Sequence, residues 1–181
     1  MIVTGGRRNI GVAVDFTACS KAALRWALAS LARPGDRLVL VHVKGSFQYE
    51  HGVANLWEHQ GSPIIPLAEL SDPRVSRIYG VAPDAETIDI LKRAAVQKGV
   101  EVVAKVYWGE PARKLTEAVH SVPLQWLVVG SRGIGAVKRV LMGSISTYVV
   151  NHATCPVTVV REKGLPPPPP PSAATAASYY Y

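Results

Sequence analysis

The sequence predicts an α/β fold built on a parallel sheet, and two observations carry that prediction. Short β-branched runs alternate with segments of helical periodicity, and most of the runs are nearly continuously apolar. Continuous apolarity is expected of strands covered on both faces, and strand-helix alternation makes βαβ units with right-handed crossovers. The 181 residues suit one domain, while 48% hydrophobic and 18% charged residues fit neither a disordered chain nor a coiled coil.

Five runs read as strands: Ile10 to Asp15, Arg37 to Val43, Val100 to Val106, Trp126 to Gly130 and Val157 to Arg161. After the first, Ser20 to Ala32 places Ala23, Trp26, Ala27 and Leu31 at helical spacing, and Arg33-Pro34-Gly35 stops the helix. Ala85 to Lys98, ended by Gly99, and Pro111 to His120, with proline in its first turn, predict the second and third helices. Ser144 to His152 is the last.

One connection is abnormal. Lys44 to Pro83 runs forty residues where roughly two to six are usual. It holds Pro63, Pro66 and Pro73 together with Phe47, Tyr49, Trp57 and Tyr79. The aromatics predict an excursion packed on the domain, with short helices near Pro66 to Leu70 and Asp72 to Tyr79. The organisation is therefore an extension over residues 1–8, a folded domain over 9–163 and a tail over 164–181. That tail carries no charged side chain and includes Pro166 to Pro171, a run expected to form a solvated polyproline II rod. It could dock an aromatic groove, but no flanking arginine fixes its orientation.

Twenty Lys and Arg against thirteen Asp and Glu give a net charge of +7, which suggests a phosphate, polyanion or acidic partner. No aromatic-and-basic stripe supports nucleic acid. Two cysteines and a start without an apolar leader core predict a reducing intracellular setting, cytoplasmic or nuclear. No apolar run reaches the roughly 18 residues a membrane span needs.

The segment richest in chemistry follows the fourth strand. Gly130-Ser131-Arg132-Gly133-Ile134-Gly135 is followed, ten residues past Gly133, by Gly143-Ser144-Ile145-Ser146 at the start of a helix. Glycines at the end of a parallel strand let backbone amides approach an anion. A helix amino terminus adds unpaired N–H groups and the positive end of its dipole. Asp15, at the end of the first strand, is expected to share the crevice that forms where strand order reverses. The string is neither a Walker loop nor a GxGxxG fingerprint. On local pattern alone, Gly133 and Gly135 also read as turn residues and Gly143-Ser144 as a helix cap.

The complete string, Gly130, Gly133 and Gly143-Ser144 with two and nine intervening residues, resembles the signature of the universal stress protein family in its ATP-binding type. Val12 to Phe16, Leu40 to Val43 and Ala153 to Arg161 resemble that family's first, second and fifth strands. The resemblance runs from Arg8 to Arg161 and is nearest to the plant single-domain members.

It implies an open, Rossmann-like sheet of the adenine nucleotide alpha hydrolase type, with helices on both faces and strand order 3-2-1-4-5. It also implies an ATP or AMP ligand, with Mg2+ accompanying the nucleotide. Asp15 and the Val43 backbone would contact the adenosine portion, Gly130 would border the ribose, and Gly133, Gly143, Ser144, Ile145 and Ser146 would line the phosphates. Arg132, Lys138 and Arg139 add positive charge nearby. The function implied is nucleotide-dependent regulation of a stress response through protein partners. Homodimerisation is expected through the strand Val157 to Arg161, an apolar edge that would otherwise be exposed.

Other chemistry is sparse. Cys19, at the start of the first helix, permits a redox reading in which oxidation drives a client-holding chaperone through oligomerisation, although an isolated cysteine there commonly packs as a small residue. Cys155, ahead of Pro156 at a strand start, is expected to be buried. The histidines show no i,i+4 pair and the cysteines no CxxC, so no protein-held metal site is expected. Nothing pairs a serine with a base, so any ATP hydrolysis would be slow or incidental.

Overall fold

The computed structural model describes residues 6–45, 54–131 and 143–161. Its elements are β1 (Asn9–Ala13), α1 (Ala18–Trp26, running on through a π-turn over Ala27–Leu31), β2 (Arg37–Lys44), α2 (Ala54–Gln60) and β3 (Ile65–Pro66). Then come α3 (Leu67–Leu70), α4 (Pro73–Ile78), α5 (Ala85–Lys98), β4 (Glu101–Trp108), α6 (Pro111–Ser121), β5 (Trp126–Ser131), α7 (Ser144–His152) and β6 (Val157–Arg161).

The sheet order is β3-β4-β2-β1-β5-β6. Its five parallel strands follow the expected order. The sixth, β3, is an addition: it pairs antiparallel with β4 through Ile65 and Pro66 alone. Ser62 prolongs this edge, its amide bonding the Val106 carbonyl at 2.8 Å and its hydroxyl accepting the Val106 amide at 2.9 Å. Pro63 offers no N–H, so a side chain supplies what a longer ladder would have supplied.

Strand alternation sends side chains to two covered faces. Ile10, Val12, Leu38, Leu40, Val102, Ala104 and Val128 pack with Leu24 of α1 and Leu91 of α5. Val39, Val41, Val103, Leu127 and Val129 pack on the other face with Leu115 and Val119 of α6 and Val149 of α7. Burying each large aliphatic side chain contributes roughly 1.5–3 kcal/mol.

Several boundaries shift by one or two residues from those expected, and two of the shifts have a local cause. β1 stops at Ala13 rather than Asp15, because Phe16 adopts φ 63° and turns the chain. α1 starts at Ala18 rather than Ser20, because the Thr17 hydroxyl caps it by accepting the Ser20 amide. At its other end the Ala32 amide bonds the Ala27 carbonyl at 2.8 Å, the longer reach of a π-turn. The Leu28 carbonyl accepts the Lys98 ammonium from α5, and the Leu31 carbonyl accepts the Arg8 guanidinium at 3.1 Å.

The long excursion packs on the domain, as its aromatics suggested. Trp57 stacks on Tyr79 at 5.4 Å and on Trp108 of β4 at 6.3 Å, which anchors α2 and α4 to the sheet. The two expected short helices are α3 and α4. α2 was not foreseen, because its seven residues are too few to show a periodicity.

Candidate functional site

The chain passes β1, β2 and β4 in one direction along the sheet and β5 and β6 in the other, so strand order reverses between β1 and β5. A cleft of about 580 Å³ opens there, at the carboxyl ends of the strands. Asp15, Val43, Gly130, Gly143, Ser144, Ile145 and Ser146 all line it. Arg132, Gly133, Lys138 and Arg139 lie outside the described residues, as do the extension's first five residues and the tail.

Asp15 sits in the turn between β1 and α1. Its Oδ1 accepts both the Thr17 amide at 3.1 Å and the Thr17 hydroxyl at 2.5 Å, and its own amide donates to Ser20 Oγ at 3.3 Å. The cap of α1 thus also orients the carboxylate.

Gly130 is the next-to-last residue of β5, where the first turn of α1 crosses it. A Cβ at this position would lie 2.8 Å from Cys19 Sγ and 2.9 Å from the Cys19 carbonyl oxygen, so only glycine fits. Cys19 is buried, lines the cleft, and its thiol donates to the Ser131 carbonyl.

Among the described residues three helices bring their amino termini to this cleft, and they differ in how their first amides are used. Thr17 caps α1, and the Glu110 carboxylate accepts the Ala112 and Arg113 amides of α6 at 3.1 and 2.9 Å. Among the described residues no side chain caps α7, and its intrahelical ladder begins with the Thr147 amide on the Gly143 carbonyl at 3.0 Å. The amides of Ser144, Ile145 and Ser146 therefore precede that ladder. With the helix dipole behind them they suit an anion.

The Ser146 hydroxyl donates to the Gly130 carbonyl at 3.1 Å, pinning α7 to β5.

Val41, Val43, Pro111 and Leu115 add an apolar wall to the same cleft. Sequence reading passed over Val41, Thr17, Ser20, Pro111 and Leu115. The period-two spacing of Val41 from Val43 was the available signal for the first. Pro111 and Leu115 become visible only when β4 and α6 are placed beside β2. Cys155 lies elsewhere, half-buried, and burial raises its thiol pKa. Among the described residues no group of three or more His, Cys, Asp or Glu could hold a metal, and no helix is long and apolar enough to cross a membrane.

Comparison with known proteins adds to this geometry. The model of the universal stress protein family matches residues 6–161. Universal stress protein PHOS32 of Arabidopsis thaliana is 32% identical over 170 residues, covering 87% of this chain and 66% of its own. Universal stress protein PHOS34 of the same plant is 33% identical over 174 residues, covering 87% and 63%. The chain thus spans slightly less than two thirds of the length of these two relatives. A crystal structure of a universal stress protein family protein from Arabidopsis thaliana with AMP bound superposes with TM-score 0.54 at 20% identity, covering 87% of this chain and 93% of that one. At that identity the likeness concerns the fold.

Proposed function

The chain belongs to the universal stress protein family, and on that premise we propose that its cleft binds an adenine nucleotide, ATP or AMP, and that the protein acts as a nucleotide-dependent regulator in a stress response. The observation that carries the reading is the amino terminus of α7, which no described side chain caps, in a cleft where α1 and α6 satisfy their own first amides. The solved family protein with AMP bound supports the choice of nucleotide.

In this reading the apolar wall of Val41, Val43, Pro111 and Leu115 receives the adenosine portion, and Asp15 accepts from its base or ribose. Gly130 borders the ribose. The amides of Ser144, Ile145 and Ser146, with Gly143 leaving room, hold the phosphates. Arg132 and Gly133 join them on the strength of the motif alone. Any Mg2+ would arrive with the phosphates of ATP.

We further propose a homodimer formed through β6. It is an edge strand whose Val157, Thr158, Val159 and Val160 are only half-buried, which leaves a ladder edge for a second copy. The redox-chaperone reading lacks an observation that favours it, since the Cys19 thiol is buried and held by the Ser131 carbonyl. Extraction and chromatography of the nucleotide carried by freshly purified protein tests the main reading. AMP or ATP is expected; a preparation that carries neither and binds neither when they are added contradicts it.

A further inference from the structure

His42 stands on β2 between Val41 and Val43, both of which line the cleft. Alternation sends its side chain to the opposite face of the sheet, behind the cleft. There its Nδ1 donates to the Val14 carbonyl at 2.8 Å, the proton being assigned to Nδ1 because a carbonyl can only accept. Its ring also meets the Phe16 ring at 5.1 Å between centroids, tilted by 40°.

Val14 and Phe16 are the residues on either side of Asp15. Phe16 is the one described non-glycine residue with positive φ, a conformation a Cβ disfavours unless its surroundings hold it. One imidazole thus grips both neighbours of the cleft carboxylate from behind, while Thr17 holds the carboxylate from in front.

Resting on the nucleotide reading above, we infer that His42 is a positioning residue that aims Asp15 into the cleft, and that its protonation weakens ligand binding. Among the described residues, the charged groups whose fields reach it are Lys44 on its own strand and Asp15 in the turn. Burial depresses the imidazole pKa below its ordinary value, the Val14 bond opposes that, Lys44 adds to it and Asp15 opposes it. The ring is therefore neutral at neutral pH. As pH falls through its pKa, a cation forms behind Asp15 and competes with the ligand for the carboxylate charge, so affinity falls.

The test is calorimetric titration with AMP at about pH 7.5 and about pH 5.5 for the wild type, His42→Gln, Asp15→Asn and the double variant. The ligand's phosphate ionisation is common to all four. At the higher pH, His42→Gln is expected to bind roughly fivefold more weakly. It should also lose part of the wild-type pH dependence, and it should add nothing in the Asp15→Asn background. His42→Phe, which keeps a ring against Phe16 but neither donates nor titrates, serves the same readouts should the glutamine variant fold poorly. Additive effects with an unchanged pH profile overturn the inference while leaving nucleotide binding intact. A wild type that binds no AMP or ATP at either pH overturns the nucleotide reading itself, and this inference with it.

Discussion

The backbone of Gly130 and the side chain of Cys19 fit together so closely that a Cβ on residue 130 would lie 2.8 Å from the sulfur. The same Cβ would lie 2.9 Å from the Cys19 carbonyl oxygen, which belongs to helix backbone and cannot rotate away. Gly130→Ala should therefore destabilise the fold by about 1–3 kcal/mol, the usual range for overpacking. Adding Cys19→Ala removes the sulfur contact but not the carbonyl one, so it should restore part of the loss. Urea denaturation of the single and double variants measures both, and a double variant no more stable than Gly130→Ala refutes the contact.

At the opposite end of the sheet, Asp36 is 6% exposed and its carboxylate accepts Arg8 Nε at 3.0 Å, Arg8 Nη2 at 2.6 Å and the Arg33 amide at 2.8 Å. Burial pushes its pKa up, but the hydrogen bonds from Arg8 and Arg33 outweigh that and hold it below the ordinary value. A lowered folded pKa stabilises above the unfolded pKa of about 3.9 and is lost as pH falls through the folded value. Asp36→Asn should cost about 2 kcal/mol near neutral pH, and the gap from wild type should close on acidification below the unfolded pKa. Thermal melts across the acid range report it; a gap that stays constant contradicts the assignment.

The π-turn of α1 leaves a carbonyl at Leu28 that the Lys98 ammonium takes up. Removing that donor with Lys98→Met should cost about 1 kcal/mol and speed hydrogen exchange in the last turn of α1. Unchanged exchange there would mean that Lys98 does not support the turn.

The edge strand β6 makes a separate prediction. Val159→Lys should yield monomers in analytical ultracentrifugation if β6 pairs two copies; an unchanged dimer sinks that interface.

The parallel core was legible because Leu38 to Val41 and Leu127 to Val129 are buried on both faces and so read as unbroken apolar runs. Their order was legible only through the family resemblance. β3 was not, since two residues, one of them proline, carry no period. In the cleft, Gly130, Gly143 and Asp15 announced themselves by residue type and spacing. The grip of His42 on Val14 and Phe16 did not, because it depends on β2 lying beside β1 in register, with Val12 opposite Leu40 and Ala13 opposite Val41. The bond from the Ser146 hydroxyl to the Gly130 carbonyl was hidden for the same reason, since it needs α7 placed beside β5.

In the proposed reading an adenine nucleotide sits in the cleft with its phosphates at the amino terminus of α7. No described atom lies within 4 Å of where a Cβ on Gly143 would stand, and its backbone is at φ −59°, so Gly143→Val should fold normally while its side chain fills the phosphate end of the cleft. Calorimetric titration of the wild type and Gly143→Val with ATP and with AMP, alongside their melting temperatures, is the direct measurement. Binding by the wild type and its loss in a variant that melts at the same temperature is the predicted result; equal affinity in both proteins, or none in either, contradicts it.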